Sequence, residues 1–110
     1  MIQDRIDKIE AALHGAQNLS PATRDELLKL LADLKSEVAP LVSTHSEDAA
    51  SIARFADVSF YEATRSDRKP RQTEAALSGL NASVGGFEAS HPRLVEIVDR
   101  IAVTLSNMGI

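Results

Sequence analysis

The chain has no cysteine and no tryptophan, and only one tyrosine and three phenylalanines among 110 residues. Without cysteine there is no disulfide, no thiolate nucleophile and no thiolate-held metal, and a reducing cytoplasm is the compartment such a chain fits. Aromatics make up 4% of the residues, so the core must come from aliphatic side chains of modest size, which favours helices over a sheet. Positive charge is also short: 12 Lys and Arg stand against 16 Asp and Glu, giving a formal charge of -4 and a pI near 5.3. That balance is opposite to the basic one of a typical nucleic-acid binder. The opening stretch MIQDRIDKIE lacks the apolar run of a signal peptide, and no apolar run approaches membrane-spanning length. These absences predict a soluble cytoplasmic protein of one domain, whose size lets it bury about two thirds of its unfolded surface.

What is present is helical rhythm. Ile2, Ile6, Ile9, Leu13 and Ala16 step by four and three, the spacing of one stripe along a helix. A first helix is expected over about 2–15. Ser20 is placed to cap a second helix with Pro21 at its first position, and Leu27, Leu31, Leu34, Val38 and Leu41 repeat the rhythm until Pro40 ends or kinks it. The two make a helical hairpin over 1–42. Thr44 with Glu47 has capping-box spacing and predicts a third helix over about 45–65, followed by the polar break RSDRKPRQ. Thr73, Leu77, Leu80, Val84 and Phe87 predict a fourth helix over 73–88.

The last helix starts at SHP and carries Leu94, Val98, Ile101 and Leu105. Proline disfavours helical backbone in the residue before it, so His91 is expected as the N-cap, with Ser90 a close competitor. Gly109 is expected as the C-cap, with Ile110 folding back on Leu105. The sum is one all-α domain, an antiparallel bundle of about five helices. Two hairpins, 1–42 and 70–110, flank an inserted helix and basic loop over 43–69.

Three stretches carry a resemblance: Leu13-His14, LSPATRDELLKLLADL from Leu19 to Leu34, and FEASHPRLVEIVDRIAVTLSNMGI from Phe87 to Ile110. Together they are similar to a family of short bacterial proteins, the domain-of-unknown-function family numbered 4404. The segment 43–69 is longer than the linker expected for that family. The resemblance implies a helical fold and a bacterial origin; the family has no established activity, so no catalytic residues follow from it.

The residues themselves offer little chemistry. His14, His45 and His91 lack the spacings that set two metal ligands on one helix face. If the inserted helix lies outside a four-helix bundle, the end of the first helix and the start of the last share an end, bringing His14 and His91 within reach. No two carboxylates pair in an apolar setting, and no nucleophile elbow or phosphate loop occurs. No enzyme, cofactor or metal is expected. The cations Arg65, Arg68, Lys69 and Arg71 mark a loop that would suit an acidic partner or, less well on an acidic protein, nucleic acid.

The most informative anomaly is the fourth helix, which has no charge from Ala75 to Phe87. Opposite its leucines it shows Ala75, Ser78, Gly79, Ala82, Gly85 and Gly86, where a solvated face usually carries Lys, Glu and Arg. Small residues admit another helix closely, either the third helix of the same chain or a second subunit. The leading expectation is a non-enzymatic module that self-associates as a homodimer through this helix, or binds a helical partner, with help from Phe55, Val58 and Phe60.

Overall fold

The computed structural model describes residues 2–108, which form six helices and no strand: α1 (Ile2–Gly15), α2 (Pro21–Val38), α3 (Leu41–Thr44), α4 (Ser46–Thr64), α5 (Pro70–Ser83) and α6 (Pro92–Asn107). The all-α bundle is as expected, with the one-turn α3 as an extra element. α3 exists because Pro40 cannot donate to the end of α2. The chain closes α2 at Ala39, turns once, and ties off with the His45 N–H to the Leu41 carbonyl at 2.7 Å.

The two hairpins and α4 form a closed ring: α1 packs on α2, α2 on α6, α6 on α5, α5 on α4, and α4 back on α1. The stripes read from sequence line its interior, with Ile6, Leu13, Leu27, Leu31, Leu34, Leu80, Leu94, Ile101 and Leu105 almost wholly buried. Burying each such side chain contributes on the order of 1.5–3 kcal/mol. α4 adds Ala49, Ile52, Ala53, Ala56, Phe60 and Ala63 to the same core. The condition of an inserted helix lying outside a four-helix bundle is therefore not met, and the helix packs on α5 within the chain. Its apolar face is too broad for a helix laid on a surface, and the ring needs a fifth leg to cover α1 and α5.

That leg changes the directions of everything after it. α1 and α4 run parallel, with Arg5 bonded to Asp57 at 3.0 Å and Lys8, Ile9 and Leu13 sharing a cleft with Phe60, Tyr61 and Thr64. α2 and α6 are antiparallel, the end of α2 meeting the start of α6 through Glu37 and Arg93 at 3.5 Å. α1 and α6 thus point the same way. His14, at the end of α1, and His91, at the start of α6, fall at opposite ends of the molecule, so the approach that an outlying inserted helix would have allowed does not occur.

Local signals fared unevenly. Ser20 caps α2, its Oγ accepting the Thr23 N–H at 3.2 Å. Thr44 does not cap α4: it is the last residue of α3, and its hydroxyl donates to the Pro40 carbonyl at 3.2 Å. The N-cap position falls one residue later, on His45. His91 is the N-cap residue of α6, but its side chain makes no capping bond, and its Nδ1 instead meets the Ser90 hydroxyl at 2.9 Å. The expected 73–88 helix is α5 over 70–83. Pro70 starts it earlier, and the Gly85-Gly86 pair ends it, leaving Val84 and Phe87 buried from a turn rather than a helix. The expected cap at Gly109 and the contact of Ile110 lie outside the described residues.

Candidate interaction surface

α4 and α5 form the most extensive pair in the ring, and small residues make the closeness possible. A Cβ on Gly79 would overlap Phe55 Cε1 and Cδ1. Only glycine lets the ring lie where it does. One end of the seam is fixed by Thr73, buried, whose hydroxyl bonds the Glu62 and Lys69 carbonyls at 3.4 and 3.3 Å. Between these two contacts Ser59 is wholly buried and its Oγ has no partner among the described residues. A serine there spares volume at the cost of an unmade hydrogen bond.

The uncharged face is thus partly used inside the chain. Gly79 is half-buried under Phe55, while Ala75, Ser78 and Ala82 stay exposed. Phe55, Val58 and Tyr61 are 39%, 47% and 61% exposed, and they are three of the four large exposed hydrophobics among the described residues. All three sit on α4. Two expected members of the surface are corrected: Phe60 is 3% exposed and belongs to the core between α1 and α4, because its position on the helix turns it inward. Gly86 is exposed but lies beyond the end of α5, in the turn that Val84 begins.

The basic loop is less free than its sequence implies. Arg65 bonds Glu62 at 3.1 Å and Gln72 at 3.2 Å and lies over the Tyr61 ring; the Glu62 bond raises its pKa further. Arg68 reaches the Leu105 carbonyl at 3.1 Å and closes the end of α6, and Lys69 pairs with Asp67 at 3.1 Å. Of the four, Arg71 alone makes no ion pair or hydrogen bond among the described residues. Arg24 does for α1 what Arg68 does for α6, donating to the carbonyls of Leu13, at 3.0 Å, and Ala16. Neither role was legible in sequence, since the accepting carbonyls come from other helices.

His91 has gained a different neighbour. His45, Phe87 and His91 form three edge-to-face ring pairs, with centroids 5.5, 5.3 and 6.3 Å apart, at the end where α4 and α6 begin. Each imidazole meets the hydroxyl of its preceding residue, Thr44 or Ser90. Phe87 is buried and plugs that end. Among the described residues no group of three or more His, Asp or Glu is arranged to hold a metal ion. A groove of about 450 Å³ runs between α5 and α6, with Leu77 and Ala102 along it and Glu74 and Asp99 also lining it. No described helix is long and apolar enough to cross a membrane.

The family profile described as Domain of unknown function (DUF4404) matches residues 27–110. The chain belongs to this family. The DUF4404 match starts inside α2 and takes in α3 to α6, so the α4 segment falls within the matched span rather than outside it. The Leu13-His14 pair and the start of the LSPAT stretch precede it. No curated protein and no solved structure matches the chain.

Proposed function

We propose that this DUF4404 protein is a non-enzymatic, cytoplasmic interaction module whose α4–α5 face binds a second copy of the chain. The observation that carries the reading is the Phe55–Gly79 contact. It seals the seam between the two helices and leaves beside it an open, uncharged strip of Val58, Ala75, Ser78 and Ala82. A helix face meant only for water would carry charges that favour both helix and solubility. A stable interface takes about 800 Å² from each partner. The chain exposes 6307 Å² in all, so the outer face of two adjacent helices out of five long ones is of the right order.

Size-exclusion chromatography with light scattering tests it. The expected mass at tens of micromolar is twice the chain's 11.9 kDa. Ala75→Glu and Ala82→Glu should give monomer with an unchanged melting temperature, because both sites are exposed in the isolated fold. Gly79→Glu is the wrong probe, since its Cβ alone meets the Phe55 ring. A monomer at high micromolar concentration overturns the reading.

A further inference from the structure

We infer that the second copy docks antiparallel on α4 about a two-fold axis through Val58, bringing Arg54 of each chain to Glu62 of the other. This rests on the self-association proposed above and adds its partner geometry. The outward stripe of α4 is Ser51, Arg54, Val58 and Tyr61, stepping three and four. An axis through Val58 sets residues equally far before and after it level with each other across the interface, so Arg54 meets Glu62, one turn to either side. Arg54 is exposed and makes no ion pair among the described residues, and Glu62, at the edge of the stripe with 14% of its side chain exposed, bonds only Arg65 through that side chain. Its carboxylate has lone pairs left for a second guanidinium.

Other axes do worse. One at Arg54 sets two like charges face to face, which is unfavourable. One at Tyr61 lets α4 overlap its copy only over 58–64, whereas the Val58 axis overlaps 52–64, about 20 Å of helix.

α5 obeys the same axis. The Phe55–Gly79 and Thr73–Glu62 contacts fix its antiparallel register on α4 and set Val58 level with Ala76. The outward residues around that level are Ala75, Ser78 and Gly79, so α5 and its copy can also close in. Ala82 then stands about 8 Å along α5 from the axis and about 16 Å from its own copy.

The absence of cysteine makes the test clean. At an axis between helices 8–10 Å apart, the Cα atoms of residue 58 come within about 4–5 Å, in range of a disulfide. Under mild oxidation Val58→Cys should move the band on a non-reducing gel to twice the mass, while Ala82→Cys and the remote Lys29→Cys should not. Arg54→Glu should raise the dimer dissociation constant about tenfold, and adding Glu62→Arg should restore it. A light-scattering dimer in which Ala82→Cys cross-links and Val58→Cys does not, or in which neither does, overturns the register and leaves self-association standing. Monomers throughout, with no cross-link, overturn both.

Discussion

The Phe55 ring lies on Gly79 with no room for a Cβ between them. Alanine at 79 gains about 1 kcal/mol of helix propensity, yet it must push the ring, already 39% exposed, further outward, a loss of up to about 2 kcal/mol. Gly79→Ala is therefore expected to destabilise by up to about 1 kcal/mol. In a Phe55→Ala background the same change should stabilise by about 1 kcal/mol, because the clash is gone. Urea titrations of the four proteins check the sign reversal; additive effects would mean that the ring does not pack on Gly79.

Arg24 and Arg68 add side-chain donors at helix ends whose local backbone bonds, Ala16 N–H to the Leu13 carbonyl and Met108 N–H to the Leu105 carbonyl, are long at 3.4 Å. Arg68→Met is expected to lose about 1–2 kcal/mol with its bond to the Leu105 carbonyl, and Arg24→Met somewhat more, since it gives up two carbonyl partners. Arg71→Met should be neutral within about 0.5 kcal/mol. Thermal melts at matched pH measure all three. Equal effects at Arg68 and Arg71 would make the 65–71 loop a plain solvated linker.

At the other end, Phe87→Ala should destabilise by about 3 kcal/mol, because a buried ring leaves a cavity under two helix starts. His45→Ala should cost about 1 kcal/mol, the scale of an aromatic edge contact. Hydrogen exchange should show the loss first in the opening turns of α4 and α6. Faster exchange confined to the α1–α2 loop would be the contrary result.

Lys35 donates to Asp7 at 2.6 Å, and that hydrogen bond, with lesser attraction from Asp7, Glu10 and Asp4, raises its pKa. A lysine whose folded pKa is raised binds its proton more tightly in the fold, so its contribution is complete at neutral pH and fades as pH rises through the alkaline range. Lys35→Gln should therefore narrow its deficit relative to the parent as pH climbs past the ordinary lysine range. Salt should shrink the deficit at neutral pH as well, because both groups are partly exposed. A deficit that grows with alkaline pH would contradict the pairing.

The amino-acid order by itself determined what rests on near neighbours. Apolar stripes at three and four fixed α1, α2, α4 and α6 to within a residue or two, Ser20 and Pro21 fixed the start of α2, and Pro92 fixed His91 as a helix boundary. It also exposed the uncharged stretch from Ala75 to Phe87, since missing charge is visible without coordinates. The capping-box spacing of Thr44 misled because Pro40 had already seeded the extra turn of α3, which the Thr44 hydroxyl serves instead. Tertiary structure decided what depends on how helices stack. A broad apolar face says that α4 is buried but not between which neighbours; once it closes the ring between α1 and α5, it reverses every later direction. His14 is carried away from His91, and His45 is brought to it. The same stacking turned Phe60 inward, laid Phe55 over Gly79 and handed Arg24 and Arg68 to carbonyls of other helices. Helical periodicity is a property of a few consecutive residues, whereas the side of a helix that stays open is set by the elements packed beside it.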